Sequence, residues 1–371
     1  MKRNSMPMIQ GRQGPRVKVD GRGYDYFDGC SYFGLSGDKR LLQAAARAMQ
    51  TYGLSTMISR HVSVPALLEV EAAACRFFNT EAALYHPTGY MGNSIILVAL
   101  ADEYDLIFMD ETSHYSILDA VLLSRKPVVK YRHRSPADLR AKLRRRLRPG
   151  QRPLVITDGC FPISGQLPPL ADYHTVLGEY PKFSMVVDDS HVTGVIGKKG
   201  RGSLEWFGLQ GDHLHTSGTT SKALGAHGGL IPGSQAFVDR LRKFVAGATP
   251  CSVPVAAAAA ASLDLLREHP ELRKKLWETV AYAKNGLRSL GFDIPDTPVP
   301  IICLHAHPAG NPRDLRAHLF ARGILCQYRE EGSYTSVPPN GSNRIVIMAS
   351  HSRAQIDRLI SAVADYLRKQ H

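Results

Sequence analysis

No stretch of this sequence approaches the ~18 consecutive apolar residues that a membrane-crossing helix needs, and the charged N-terminus is followed by no apolar segment of signal-peptide type. Six cysteines (Cys30, Cys75, Cys160, Cys251, Cys303, Cys326) lie scattered, with no C-x-x-C pair and no metal-ligand spacing. That speaks against a zinc module or a disulfide framework and for reduced, mostly buried thiols. No internal repeat is present. Acidic residues are in deficit, 33 against 46 basic ones, for a net charge of +13. Such an excess suits an anionic substrate as well as it suits nucleic acid, so it selects neither. A hydrophobic share of 44% over 371 residues excludes intrinsic disorder and gives a prior of about two domains. The expectation is a soluble, cytoplasmic chain.

What is there alternates. After a basic, Gly-rich opening, Tyr24 to Ser36 reads as a strand and turn, and Leu41 to Tyr52 has helical composition. In Ala66 to Phe78 a stripe of Leu67, Val70, Ala74 and Phe77 marks a second helix. Short apolar runs (AALYH, DLIFMD, VVKY, LVITDG, SMVVDD) then alternate with helix-like segments (NSIILVALA, SILDAVLLS, ADLRAKLRRRLR). That alternation predicts an α/β fold with a parallel, doubly wound sheet. A second regime opens near Pro254 with two long helices, the first carrying the alanine run Ala256 to Ala261. Shorter strands and a final helix follow, as in a smaller α+β domain. The basic run from Arg140 to Arg152 contains no aromatic residue that could stack on bases, so a solvated helix face is expected there and nucleic-acid binding is not.

The chemistry concentrates between Phe183 and Leu230. FSMVVDDSH is a buried strand delivering Asp188, Asp189 and His191 at its carboxyl end, where open parallel sheets place their ligands. Thirty-four residues past Asp188, the polar strand HTSGTTSKALG is expected to end in Lys222, with Gly225, Gly228 and Gly229 close behind. A lysine among small residues, opposite a strand-end aspartate, is what a Schiff base requires, because the amine must lose its proton to attack an aldehyde. The glycines are expected to let backbone approach a cofactor closely.

These segments resemble the α-oxoamine synthases, pyridoxal-phosphate enzymes of fold type I with an aspartate aminotransferase-like large domain. DDSHVTGVIGKKGRGS and GTTSKALGAHGG carry the likeness, joined by YFGLS, HPTGYMGN, DLIFMDETSHYSILDAVLLSR, PVVKYRHRS and NRIVIMASHSRAQIDRL in family order. The resemblance implies an N-terminal arm and first helix over 1–50, a large cofactor-binding domain over 51–254 and a small domain over 255–371. It implies pyridoxal 5'-phosphate held by Lys222 as a Schiff base, with Asp188 on the ring nitrogen, His114 stacked on the ring face and His191 donating to the ring hydroxyl. Gly89, Tyr90 and Thr219 would serve the phosphate, and Arg344 the carboxylate of the amino acid. Implied too are a decarboxylating condensation of an amino acid with an acyl thioester, on coenzyme A or an acyl-carrier protein, and a homodimer with shared active sites.

Three departures from the family pattern stand out. Cys30 replaces an asparagine that helps hold substrate, Pro162 replaces a serine near the ring, and STMISRHVSVP replaces a more flexible glycine- and serine-rich loop. They place substrate choice in question, and they keep an aminotransferase or a retro-aldol lyase open as alternatives on the same site. A non-catalytic binding protein is the remote alternative, since Lys222 and Asp188 would have no purpose in a scaffold.

Overall fold

The computed structural model describes residues 8–55, 63–245, 247–305, 307–308 and 310–370. The chain divides into two compact units, one made of Met1–Asp38, Ile163–Gly165 and Glu271–His371 and the other of Lys39–Pro162 and Gln166–Pro270. The division falls at 38/39 and 270/271, not at the expected 50/51 and 254/255. The physical reason is a helix. Val253–Glu268, which spans the expected boundary at 254, packs on Lys39–Tyr52 and Pro65–Phe78 and so belongs with them.

The chain starts with β1 (Ile9–Gln10), β2 (Arg16–Val19) and β3 (Arg22–Tyr26), an antiparallel meander. The larger unit then begins with α1 (Lys39–Tyr52) and α2 (Pro65–Phe78), both close to expectation. Residues 56–62 of the STMISRHVSVP loop lie outside the described residues. There follow β4 (Ala82–His86), α3 (Gly92–Ala99), β5 (Leu106–Asp110), α4 (Tyr115–Leu123), β6 (Val128–Tyr131), α5 (Pro136–Arg146), β7 (Pro153–Asp158) and α6 (Leu170–Leu177). The unit closes with β8 (Ser184–Asp188), α7 (Ser203–Phe207), β9 (Leu214–Thr219), β10 (Gly229–Gly233), α8 (Gln235–Val245) and α9 (Val253–Glu268). The remaining residues return to the smaller unit.

Seven strands form one sheet in the order β4-β10-β9-β8-β7-β5-β6. All run parallel except β10, which pairs antiparallel with both neighbours. β5, β7 and β8 read as nearly unbroken apolar runs because both faces are covered. Ile107, Met109, Ile156 and Val186 enter one core with α3, α4 and α8, while Leu106, Phe108, Val155 and Val187 enter another with α5 and α6. Period-two alternation thus divides one hydrophobic sequence between two cores. Parallel direction also brings the ends of β4, β5, β7, β8 and β9 to the same edge, where the last residues are His86, Asp110, Asp158, Asp188 and Thr219.

The smaller unit continues with α10 (Pro270–Arg288), β11 (Ile301–Leu304), α11 (Pro312–Ala321), β12 (Ile324–Leu325), β13 (Gln327–Arg329), β14 (Ser342–Val346) and α12 (Arg353–Arg368). β12 joins β3 in parallel, and β14 lies between β11 and β13. The basic run forms α5 and the turn after it. Arg140 and Arg144 pair there with Glu179, and Arg152 pairs with Asp105.

Candidate active site

Asp188 is buried at the end of β8, and three donors converge on its carboxylate. Asn93 Nδ2 donates to Oδ2 at 2.6 Å, Ser116 Oγ donates to the same oxygen at 3.2 Å, and the Ser190 main-chain N–H donates to Oδ1 at 3.0 Å. Asn93 is itself fixed, since Ser217 Oγ donates to its Oδ1 at 2.7 Å. The donors come from α3, α4 and the turn that leaves β8, with β9 holding Asn93 in place, so the sheet edge and two helix starts jointly aim one carboxylate.

Lys222 sits three residues beyond the end of β9, in a turn, and not at the strand end that the sequence suggested. The turn is closed by main-chain bonds from Thr220 N to Gly228 O and from Ala226 N to Thr220 O. Ser262, fully buried on α9, donates to Leu224 O at 2.6 Å and ties the turn down. The reason the glycines are there also differs from expectation. A Cβ on Gly228 would come within 2.5 Å of the Tyr85 ring, and one on Gly229 within 2.1 Å of the His86 ring. Those two residues are small to admit neighbouring protein rings; Gly225 answers a positive φ of 64°.

His114 caps the N-terminus of α4. Its Nδ1 accepts the Ser116 N–H at 3.1 Å, which orients the ring and assigns the ring proton to Nε2. Burial pushes its pKa down, the Lys222 charge works in the same direction, and Asp188 opposes them. Lys222 therefore acts electrostatically on the same pocket as Asp188 and His114. The buried His191 lies in the turn that leaves β8, a turn held by Val192 N and Thr193 N bonding to Asp189 O.

Gly89 and Tyr90 form a single 3-10 turn ahead of α3, with Thr88 as its cap. Gly89 passes so near β9 that a Cβ would stand 2.6 Å from the Thr219 Cβ, which puts the three expected phosphate-site residues side by side. The Thr219 hydroxyl donates to Gly228 O at 2.8 Å and accepts from Ser221 N–H at 3.2 Å. Pro162 is buried just past the end of β7.

Several residues that the sequence reading passed over belong to this edge. Asn93 stood inside a quoted motif without a role, and Ser116 and Ser262 had none. Asp158 at the end of β7 is directly in register with Asp188, is buried, and accepts the His114 main-chain N–H at 3.0 Å. Burial, reinforced by the Asp188 charge, pushes its carboxyl well above the ordinary range. Asp189 faces away from this set and accepts the Ser203 N–H at 2.9 Å; desolvation raises it to about 7.

In the smaller unit, Arg344 on β14 is 5% exposed. Its Nη1 donates to Gly29 O at 3.2 Å, Nη2 contacts Cys30 Sγ at 3.6 Å, and the Asp28 carboxylate stands 3.9 Å away. Burial disfavours its charge, but Cys30, Tyr32 and Asp28 outweigh that and strengthen it. Cys30 and Arg344, each singled out separately in the sequence, are thus in contact.

The donor set at the sheet edge fits pyridoxal phosphate. It offers an amine for the aldehyde, a carboxylate locked in an acceptor-only role for a protonated ring nitrogen, and a flat imidazole held at fixed tilt. The glycine-lined turn at Gly89 has no side chain to obstruct a phosphate. Among the described residues there is no cluster of His, Cys, Asp or Glu able to hold a metal.

The family model for aminotransferase class I and II matches residues 31–363. The chain is 36% identical to the 8-amino-7-oxononanoate synthase of Geobacter metallireducens, over 97% of this chain and 93% of that protein. It is 33% identical to 8-amino-7-oxononanoate synthase 1 of Bacillus velezensis, over 96% and 92%. Among solved structures, the serine palmitoyltransferase of Sphingomonas wittichii is similar with a TM-score of 0.89 and 26% identity, covering 98% of this chain and 92% of that one. A serine palmitoyltransferase variant from S. paucimobilis with a bound PLP–myriocin aldimine gives 0.89 at 25% identity, over 98% and 93%.

Proposed function

The chain belongs to the aminotransferase class I and II family, as an α-oxoamine synthase that uses pyridoxal phosphate, and from that membership we propose that it condenses an α-amino acid with an acyl thioester. The products are an α-amino ketone, carbon dioxide and a free thiol. The observation that carries this reading is the convergence on Asp188 of donors from two helices and from its own turn, with Lys222 acting on the same pocket.

When bound, the cofactor supplies an aldehyde that condenses with amines and a protonated ring that draws electrons from the amino-acid Cα. Lys222 would hold the aldehyde carbon and its amine would move the Cα proton. Asp188, oriented by its three donors, would face the ring nitrogen. His114, whose charged form burial disfavours, would lie on the ring face. His191 would donate to the ring hydroxyl, Gly89 and Tyr90 would receive the phosphate, and Thr219 would join them by turning its hydroxyl from Gly228 O.

Arg344 takes the substrate carboxylate through its planar fork. With the Cα proton on Lys222, the new bond forms between Cα and the acyl carbon while the carbon–sulfur bond breaks and the thiolate leaves, taking a proton from solvent. The bond from Cα to the carboxylate then breaks, carbon dioxide departs, and the electron pair left at Cα takes the proton back from Lys222. Cys30 beside Arg344 takes part in choosing the amino acid. The acyl donor is carried on coenzyme A or on an acyl-carrier protein, and the working form is a homodimer.

The test supplies each amino acid with an acyl thioester and counts products. One thiol and one carbon dioxide per ketone are expected. Stoichiometric ketoacid from the amino acid alone, without thiol, would instead assign the chain to aminotransferases.

A further inference from the structure

Three strands of the large sheet end in aspartate at the same edge, and the reaction above employs one of them. Asp110 is engaged by His133 at 3.0 Å and by the Thr112 and Arg134 main-chain N–H groups. Asp158, between Asp110 and Asp188 in sheet order, has no part in the chemistry so far. We infer that Asp158 is a positioning residue of the cofactor site, which fixes the start of α4, and with it the plane of the His114 ring, by accepting the His114 main-chain N–H. The inference rests on the reading of His114 as the group on the cofactor ring.

The geometry forms a closed circuit. Asp158 Oδ2 accepts from His114 N, forty-four residues earlier in the chain. The His114 ring accepts from Ser116 N, and Ser116 Oγ donates to Asp188 Oδ2. Asp188 stands opposite Asp158 in the β7–β8 register, which returns the circuit to its start. Moving Asp158 therefore shifts the tilt of the His114 ring and the Ser116 donor on Asp188 together.

Charge supports the assignment. The ionisable groups acting on Asp158 are Asp188 and Asp110, which disfavour its negative form, and Lys222, which favours it; burial and the aspartates prevail. Asp158 is thereby pushed towards its uncharged form. A second negative charge on the strand next to Asp188 would oppose the role of Asp188 towards the ring nitrogen. A neutral hydrogen-bond acceptor of the same size should therefore do the same work.

Asp158→Asn and Asp158→Ala separate the possibilities in the full-length holoenzyme. Deuterium uptake over residues 111–118 should match the parent in the Asn variant and rise about tenfold or more in the Ala variant, because a buried amide loses its acceptor. kcat should stay within about threefold for Asn and fall about tenfold or more for Ala, a difference of about 1.4 kcal/mol or more, with cofactor affinity changing less. Uptake unchanged in the Ala variant, or an Asn variant as impaired as Ala, overturns the inference. If the Ala variant does not fold, the Asn variant decides alone. Its pH profile of the visible cofactor band should superimpose on the parent's from about pH 6 to 9, and a shift by a full pH unit overturns it. Deuterium uptake reads the His114 N–H directly, so absence of ketone product with this pattern intact would count against the reaction, not against Asp158.

Discussion

Replacing Asp188 with asparagine preserves shape and removes one charge, which makes the consequences computable from its neighbours. Asparagine offers one acceptor where aspartate offered two. If its oxygen faces Asn93 and Ser116, its NH2 meets the Ser190 N–H, donor against donor. That leaves one backbone donor unpaired, at a cost of about 1–3 kcal/mol. The bonds to Asn93 and Ser116 each drop from charge-assisted to neutral strength, a further loss of about 1 kcal/mol apiece. Cheaper burial of an uncharged group offsets part of this. Folding stability should therefore fall by about 1–3 kcal/mol, visible as a lower melting temperature, and the protein should still take up cofactor. Turnover should fall further, by about 100- to 1,000-fold, as when a preorganised electrostatic partner is removed from an active site. The assay is ketone formation at saturating substrates beside a cofactor-binding titration. Turnover within about threefold of the parent would refute the assignment of Asp188 to the ring nitrogen, whatever happened to stability.

Three further outcomes follow from the same contacts. Arg344→Ala should weaken amino-acid binding by about 2–5 kcal/mol while leaving cofactor uptake unchanged; an unaltered dissociation constant, read from the visible band, would remove Arg344 from the substrate site. Ser262→Ala strips the Leu224 carbonyl of its donor, so melting should drop by about 1–3 kcal/mol equivalent, less the small helical preference for alanine; cofactor affinity should fall with it, and an unchanged melting curve would show that the Lys222 turn does not depend on α9. Burial lowers His86, His215 and His351 to about 4. Each is neutral in the fold and protonates more readily when unfolded, so its stabilisation is present above about pH 6.5 and lost as pH falls towards 4, by about 3 kcal/mol apiece. Denaturant midpoints across that window should fall with acid, and His215→Leu should flatten the slope.

The strands and most helices were legible because hydrophobic period is a local property. AALYH, DLIFMD, LVITDG and SMVVDD each became a strand within a residue or so of expectation. The reversal of β10 was not legible, because direction within a sheet depends on which strand is found as neighbour. Candidate site residues were legible where one residue type implies a chemistry, as for Lys222 and Asp188, helped by family resemblance, and the fold brings both to the carboxyl edge of the large sheet. Asn93, Ser116 and Ser262 act through partners 95, 72 and 38 positions away, spacings that no local pattern encodes. Asp158 did leave a trace: three apolar runs end in aspartate, a repetition that parallel pairing turns into a row of carboxyls. The boundary expected near Pro254 coincides with the start of α9 for a related reason. Composition changes there, but the alanine-rich helix is a packing partner of α1 and α2, and small side chains mark a close neighbour, not a border.

The smaller unit is assembled from the two ends of the chain, with β3 paired in parallel to β12 across about three hundred residues. During synthesis at roughly 5–20 residues per second, β3 waits on the order of 15–60 s for its partner to emerge. The larger unit, complete by Pro270, can reach its native arrangement in that interval, while the β1–β3 meander presents an open edge to the surroundings. The order of assembly therefore runs from the middle outward: the large sheet first, and the Arg344 strand, with the Cys30 segment it contacts, last.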